Sequence, residues 1–297
     1  MRLRSRASNA FASKPRPPTL SLREGIMNRT ARSILFVPGN RPDRFDKARA
    51  SGAHQIAIDL EDAVSPMDKA EARSATGAWL AQGHEALVRI NAADTDWFEA
   101  DLALLAEIPH AIVMLPKADL ASVSATTQTL PNHTVIALIE TVRGLKELEG
   151  IAATAGVARL AFGSVDFGTE TGITDSGDAM TMIRTQIVLE SCFAGLAPPI
   201  DGVSVGFDDR EQMLTDTRRS KELGFGGKLC IHPKQVAPVN EAFAPGPDEV
   251  AWAHRVLDAM ASSNGGATTV DGKMVDKPIV VQAERILADY QSENNNS

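Results

Sequence analysis

Cysteine and long hydrophobic runs are scarce in this sequence. Among 297 residues there are two cysteines, Cys192 and Cys230. Their number and spacing exclude a disulfide framework and a cysteine metal site, and they suit a reducing compartment. No apolar run approaches the roughly 20 residues that a membrane helix needs. The composition, 43% apolar and 23% charged, is that of an ordinary globular protein. We therefore expect a soluble, cytoplasmic protein.

Basic charge is scarce as well. The net charge is −8, and no dense run of Lys and Arg follows the first residues. A nucleic-acid-binding protein needs a basic face to neutralise phosphates, so nucleic-acid binding is not expected. Residues 1–30 stand apart, because Met1 to Arg23 is rich in Arg, Ser and Pro and has no acidic residue. We expect a disordered tail there, which is a targeting peptide, an over-extended start or a dispensable segment.

From Ser33 onward, short β-rich apolar runs alternate with longer stretches of helical period. This alternation is typical of repeated βα units in an α/β protein. Eight apolar runs lie at 33–39, 55–62, 86–92, 111–118, 135–141, 159–167, 201–209 and 227–233. Helical stretches between them include 41–51, 67–81, 97–108, 144–155, 181–195 and 210–223. Eight strands are what a closed (β/α)₈ TIM barrel requires.

A doubly wound open sheet is the competing architecture, because it produces the same alternation with a different strand order. Polar residues recur at the C-terminal ends of nearly all eight runs, where a barrel has its catalytic mouth, and no Gly-rich dinucleotide-binding loop follows any strand. Further on, the sequence predicts a helix at 245–262, a turn with a short extended piece at 270–276 and a terminal helix at 278–290. We therefore predict a catalytic barrel over residues 31–262 and a C-terminal extension over 263–297.

Acidic residues cluster at the predicted barrel mouth. They are Asp59, Glu61 and Asp62 after strand two, Glu140 after strand five and Asp166 after strand six. Five carboxylates at one mouth repel one another unless arginines or a bound cation neutralise them. Mg²⁺ commonly takes one or two carboxylates and leaves its other positions to water and substrate, so Glu140 and Asp166 would suffice. Alternatively, these two side chains cap helices or pair with Arg143 and Arg184.

Arg89 interrupts the apolar strand LVRIN. If it points inward, it can hold a substrate carboxylate or α-keto acid through two hydrogen bonds. The alternative is a structural salt bridge to Glu61 or Asp62. Lys117 also stands at a strand end, where a Schiff-base role is conceivable although the sequence offers nothing to activate the amine.

The loop PGNRPDRFDKA, which follows the first strand, has the features of a phosphate-binding loop. Gly39 permits a tight turn, and Arg41, Arg44 and Lys47 lie near the start of a helix. A solvated basic face is an equally good interpretation of these charges.

Eight motifs in this order resemble one known family: FVPGNRPDRFDKA, DLEDAVSPMDKAEAR, VRIN, LPKA, ALIET, GSVDF, GKLCIHPKQV and DGKMVDKP. The family is the citrate lyase β-subunit-like group of the HpcH/HpaI aldolase superfamily, which also contains malyl-CoA, β-methylmalyl-CoA and citramalyl-CoA lyases. The resemblance extends from Ser33 to about Tyr290. Eight ordered motifs are far more specific than any one of them.

The resemblance implies roles for individual residues. It implies that Glu140 and Asp166 hold Mg²⁺ and that Arg89 binds the keto-acid end of the substrate. It also implies contacts to coenzyme A, as part of the substrate, from Phe36, Arg41, Lys47, Ile231 and His232. Glu61 and Asp62 are expected to orient Arg89 or metal-bound water.

Asp276, in the motif DGKMVDKP, resembles a catalytic acid/base on a C-terminal lid. In the family this lid reaches the mouth of a neighbouring subunit. The resemblance therefore implies a homo-oligomer, a trimer or a hexamer, in which residues 263–297 form the lid and the terminal helix. An acyl-carrier protein is a possible further partner.

The predicted activity is a magnesium-dependent carbon–carbon lyase. It would cleave or form a 3-hydroxyacyl-CoA thioester such as citryl-CoA, malyl-CoA or citramalyl-CoA, giving acetyl-CoA or a homologue and a 2-keto acid. The alternatives are a malyl-CoA thioesterase, the β component of a citrate lyase complex that acts on a carrier-protein thioester, a metal-dependent 2-keto-3-deoxy acid aldolase and a degenerate binding barrel. The candidate keto acids differ by groups too small for the sequence to distinguish.

Overall fold

Eight parallel strands close into a barrel in the computed structural model, which describes residues 31–263 and 268–294. The predicted N-terminal tail, residues 1–30, lies outside the described residues. The strands are β1 Ser33–Pro38, β2 Gln55–Asp59, β3 Leu87–Arg89, β4 Ile112–Leu115, β5 Val135–Ile139, β6 Val157–Phe162, β7 Ala197–Asp201 and β8 Gly227–Cys230. Each strand pairs with its neighbour in sequence, and β1 pairs with β8. The predicted TIM barrel is confirmed, and the doubly wound open sheet is wrong.

Helices connect the strands. They are α1 Phe45–Arg49, α2 Lys69–Leu80, α3 Phe98–Ala106, α4 Leu120–Thr129, α5 Val142–Lys146, α6 Leu148–Ala153, α7 Ser164–Thr171, α8 Thr181–Phe193, α9 Arg210–Glu222 and α10 Val236–Phe243. Helix α4 was not among the predicted stretches, because it is rich in Ser and Thr, which favour helices weakly. A capping box between Asp119 and Ser122 starts it.

Two predicted strands were misplaced. β7 lies at Ala197–Asp201 and not at 201–209, which is loop after the first residue. The run APPID holds two prolines, which argue against a central strand, and its pairing with β6 is irregular. The sixth predicted strand, 159–167, runs too far, because Ser164–Thr171 is helix α7.

Apolar side chains fill the inside of the barrel and a larger layer between the barrel and the helices. The inner cluster comprises Ile34, Ala57, Leu87, Met114, Ile136, Leu138, Ala161, Ile200 and Leu229. At the N-terminal end, the buried Arg159 donates from Nε to the carbonyl of Pro198 at 2.6 Å and from Nη1 to the carbonyl of Ala31 at 2.9 Å. Since this end is filled, the C-terminal ends of the strands are left for a site.

The C-terminal extension has an apolar cluster of its own. Helices α11 (Pro247–Ser262) and α12 (Lys277–Asn294) pack together with a hairpin of β9 (Thr268–Val270) and β10 (Lys273–Val275). The predicted extended piece and terminal helix are therefore confirmed, while the lid role stays a prediction. No helix in the described ranges has the length and apolar character needed to span a membrane.

Candidate active site

Seven charged side chains lie at the C-terminal mouth of the barrel, next to one another along β2 to β6. They are Asp59, Glu61, Asp62, Arg89, Lys117, Glu140 and Asp166. The predicted gathering of five carboxylates is found, and two cations stand among them. Carboxylates remain in excess, so the mouth favours a cation.

Arg89, the last residue of β3, is largely buried and held by Asp59. Its Nε and Nη2 donate to the two oxygens of Asp59 at 2.8 and 2.6 Å. Its Nη1 lies 3.3 Å from Glu61 Oε2, and its guanidinium carbon lies 4.6 Å from the centre of the Phe36 ring. Burial lowers the pKa of Arg89, but the hydrogen bonds and charge of Asp59 outweigh burial and raise it above its ordinary value. Arg89 is therefore a permanent cation.

Asp59 is the partner of Arg89 that sequence reasoning missed. It ends β2, opposite Arg89 in the strand register, and its side chain is 1% exposed. It also accepts hydrogen bonds from the backbone N–H groups of Glu61 at 2.9 Å and Ala63 at 3.0 Å. The predicted partners are secondary, because Glu61 contacts only Nη1 and the exposed Asp62 lies 3.8 Å from it. Asp59 thus locks one side of the guanidinium, and Nη1 is the nitrogen without a bond to it.

Lys117 joins two of the carboxylates. Its Nζ pairs with Glu61 Oε1, and its backbone N–H donates to Glu140 Oε1 at 2.7 Å. Burial raises the pKa of Glu61, and the charges of Arg89 and Lys117 oppose this shift. An ammonium held by a carboxylate has no free electron pair, so the conceivable Schiff-base role of Lys117 finds no support.

Glu140 directly follows β5 and is 2% exposed. Burial raises its pKa to about 8, and repulsion from Glu61 and Asp166 adds to the effect. A Cβ atom at Gly163 would lie 2.5 Å from the Cβ of Glu140, so a residue larger than glycine would displace this side chain. Glu140 is thus held from both sides, by Gly163 and by the N–H of Lys117.

The alternative pairings predicted for Glu140 and Asp166 are wrong. Arg143 lies 3.9 Å from Asp119, and Arg184 binds Asp175 and Asp201. Neither carboxylate caps a helix, because Thr141 caps α5 and the residue before α7 is Gly163.

The two carboxylates fit a hard divalent cation in part. Glu140 is buried with a raised pKa, and Asp166 lies in the first turn of α7, close enough to repel it. In the described ranges no group of three or more His, Cys, Asp or Glu side chains could hold a metal ion. Mg²⁺ uses few carboxylates and keeps several waters, which matches a site of two protein ligands.

The residues expected to contact coenzyme A lie on β1, on the loop and helix α1 that follow it, and after β8, and these two strands are neighbours. Arg41 is engaged by Asp43 through two hydrogen bonds of 2.9 Å, and Lys47 is exposed on α1. Phe36 lies apart from them, in the mouth beside Arg89. After β8, Ile231 is exposed and His232 stacks on Phe207 with ring centres 4.4 Å apart.

Asp276 is exposed between β10 and α12. Its carboxylate makes no hydrogen bond or ion pair within residues 31–263 and 268–294. The structure therefore does not join it to the mouth of its own barrel.

Gln235 is a second residue that sequence reasoning missed. Its buried Oε1 accepts from the N–H groups of Ile231 and His232 at 2.8 and 3.2 Å. Its Nε2 donates to the carbonyls of Ser204 and Gly206 at 2.7 and 3.1 Å. This one amide ties the loop after β8 to the loop after β7.

We expect Gln235→Leu to lower the free energy of unfolding by about 2–4 kcal/mol, because it removes all four hydrogen bonds from buried or half-buried groups. Urea unfolding of both proteins measures the difference. Gln235→Glu is the matched control, because it keeps the acceptor oxygen and loses the N–H donor. Its free energy of unfolding should lie between those of Gln235→Leu and the unaltered protein. Equal stability of Gln235→Leu and the unaltered protein would contradict this role.

Comparison with known proteins tests the family resemblance. Residues 32–233 match the family model described as HpcH/HpaI aldolase/citrate lyase. A citrate lyase subunit beta-like protein of Mycobacterium tuberculosis is 36% identical over 261 residues, which cover 85% of this chain and 93% of the relative. A (3S)-malyl-CoA thioesterase of Cereibacter sphaeroides is 34% identical over 269 residues, which cover 86% and 93%.

The fold has a similar solved counterpart. The crystal structure of CitE from Mycobacterium tuberculosis in complex with magnesium, acetoacetate and coenzyme A aligns with a TM-score of 0.78 and 34% identity. The alignment covers 89% of this chain and 99% of that one. The predicted resemblance is confirmed in sequence and in fold. The chain belongs to the HpcH/HpaI aldolase/citrate lyase family.

Proposed function

We propose that this chain is a magnesium-dependent lyase that cleaves, or in reverse forms, the carbon–carbon bond of a 3-hydroxyacyl-CoA thioester. The observation that carries the proposal is the mouth itself. There a permanently charged arginine with one side locked by Asp59 lies beside the buried Glu140 and near Asp166. The CitE structure, which contains magnesium, acetoacetate and coenzyme A, supports this choice of ligands.

Glu140 and Asp166 are the residues that would hold the cation. When bound, Mg²⁺ supplies positive charge that stabilises a developing negative charge on substrate oxygens. Arg89 binds the carboxylate of the substrate and so orients it. It donates from Nη1, which makes no hydrogen bond to Asp59. The buried Glu61 and the exposed Asp62 orient Arg89 through its Nη1.

The bond that breaks joins the carbon bearing the hydroxyl group to the α-carbon of the thioester. A base removes the hydroxyl proton, a keto acid forms, and the electron pair of the broken bond becomes the enolate of the thioester. Protonation of the enolate carbon then gives acetyl-CoA or a homologue. In the reverse direction, Asp276 removes the α-proton and the enolate attacks the keto acid.

In our proposal, the Asp276 that removes the α-proton belongs to a second copy of the chain. Its exposed carboxylate has no partner within residues 31–263 and 268–294, which supports an active site completed by the C-terminal lid of a neighbouring subunit. A trimer or hexamer would satisfy this arrangement. Coenzyme A would lie across the loops after β1 and β8, with Phe36, Arg41, Lys47, Ile231 and His232 as its contacts.

Thioester hydrolysis is the second candidate, favoured by the 34% identity to a (3S)-malyl-CoA thioesterase. Incubation with acetyl-CoA and glyoxylate, pyruvate or oxaloacetate, followed by mass spectrometry, separates the two. The lyase predicts one hydroxyacyl-CoA product that forms with Mg²⁺ and not with EDTA. Free malate released from malyl-CoA, without condensation of any keto acid, would instead favour the thioesterase. Activity only with a carrier-protein thioester would place the chain in a citrate lyase complex.

Cation affinity should depend on pH through Glu140. Its pKa is raised to about 8, so below that pH a proton competes with the cation for the carboxylate. We expect the apparent affinity for Mn²⁺ to rise by up to about tenfold per pH unit from pH 6 to pH 8 and then to level off. Electron paramagnetic resonance of free Mn²⁺ measures this. An affinity that is flat over this range would contradict Glu140 as a ligand.

A further inference from the structure

We propose that Lys117 is a positioning residue that sets the charge balance between the cation and the substrate carboxylate in the mouth. Its ammonium pairs with Glu61 and offsets part of the negative charge that Glu61 adds near the cation site, and its backbone N–H donates to Glu140 Oε1. This inference rests on the proposed function, because it concerns the same two ligands.

The position of Lys117 makes it a bridge across the mouth. It lies two residues beyond β4, whereas Glu61 lies two residues beyond β2, so its side chain passes the end of β3 to reach its partner. There it stands beside Arg89, whose Nη1 lies 3.3 Å from the other oxygen of Glu61. Glu61 is thus held between the two cations of the mouth.

The backbone at Lys117 adds a second observation. Its φ of 46° lies in the left-handed region, which residues with a Cβ rarely adopt. Contacts on both sides hold this conformation: the N–H of Lys117 reaches Glu140 at 2.7 Å, and the N–H of Ala118 donates to the carbonyl of Leu138 at 3.1 Å. Such conformations persist where the surroundings over-determine them, and they cluster at functional sites.

Loss of the Lys117 ammonium should change the affinities for a cation and for a carboxylate in opposite directions. Lys117 joins the two carboxylates, because its Nζ pairs with Glu61 Oε1 and its backbone N–H donates to Glu140 Oε1 at 2.7 Å, so the charge of Glu61 acts close to the cation site. Without the ammonium, the mouth gains one net negative charge at the side of Glu61. A cation then binds more tightly and a carboxylate more weakly. A lysine that only supported the fold would change both affinities in the same direction or neither.

Two substitutions distinguish the effect of the Lys117 charge from the effect of its backbone conformation. Lys117→Gly keeps the left-handed conformation and the N–H but removes the ammonium, and Lys117→Arg keeps the charge. Titration of Mn²⁺ alone, and of pyruvate at saturating Mn²⁺, gives both affinities by calorimetry without turnover. For Lys117→Gly we expect Mn²⁺ to bind about three- to tenfold more tightly and pyruvate about tenfold more weakly. Lys117→Arg should bind Mn²⁺ and pyruvate with nearly the affinities of the unaltered protein.

Melting temperatures of both variants check that they fold. Affinities that move together, or that do not move in Lys117→Gly, would overturn the role of Lys117 while leaving the proposed lyase in place. If the unaltered protein binds neither Mn²⁺ nor pyruvate, the proposed function itself fails, and the role of Lys117 falls with it.

Discussion

Glu140→Gln should abolish the proposed lyase activity and yet make the cation-free protein more stable at pH 8.5. The pKa of Glu140 is raised by burial to about 8, so the folded state binds this proton more tightly than the unfolded chain. This contribution to stability is fully present below the ordinary glutamate pKa of 4.5, is lost as the pH rises from there to about 8, and changes little above that. Glutamine keeps the acceptor for the Lys117 N–H and carries no charge, so it removes this loss. We expect a gain of about 2–4 kcal/mol at pH 8.5.

Calorimetric unfolding in EDTA at pH 5 and pH 8.5 measures this effect. The difference between the two proteins should shrink to less than about 1 kcal/mol at pH 5, which is close to the ordinary pKa of a glutamate. Mg²⁺ should stabilise the unaltered protein and not the variant. The value of kcat/KM should fall by more than about a hundredfold, since even the outer-shell partners of a metal ligand are worth 10- to 100-fold. Full activity of the variant with Mg²⁺ would contradict Glu140 as a metal ligand, and lower stability of the variant at pH 8.5 would contradict the raised pKa of Glu140.

The sequence predicted the barrel because each inner strand is a short apolar run followed by a polar end. It did not locate β7, because APPID has two prolines whereas the following loop, GVSVGF, contains alternating apolar residues. Proline disfavours a strand only where its missing N–H is needed, and the irregular pairing of β7 removes that need. The local sequence pattern therefore predicted the correct number of strands but not the position of β7.

The members of the site were predicted better than their partners. Glu140, Asp166, Glu61 and Arg89 were all expected at the mouth, because the ends of parallel strands meet there. The pairing of Arg89 with Asp59 depends on strand register, and that of Glu61 with Lys117 depends on a left-handed residue. Neither register nor a positive φ at a lysine can be read from residue types.

Arg89→Met should have the largest combined cost in stability and activity. Removal of the guanidinium leaves Asp59 buried and charged, with two backbone N–H groups as its remaining partners. Breaking a buried ion pair by removing one partner typically costs about 3–5 kcal/mol, and we expect a loss in that range. In the proposed lyase the substrate carboxylate also loses its anchor, so kcat/KM should fall by at least about a hundredfold.

A second substitution separates these two losses. Asp59→Asn, combined with Arg89→Met, removes the unpaired charge and keeps an acceptor oxygen for one of the two backbone N–H groups. The double variant should regain at least about 2 kcal/mol of the lost stability and none of the activity, as measured by urea unfolding and by the condensation assay. If activity returned with stability, Arg89 would act only through the fold. Nη1 lies on the side of the guanidinium that Asp59 leaves free. We therefore expect the double variant to regain stability without regaining activity.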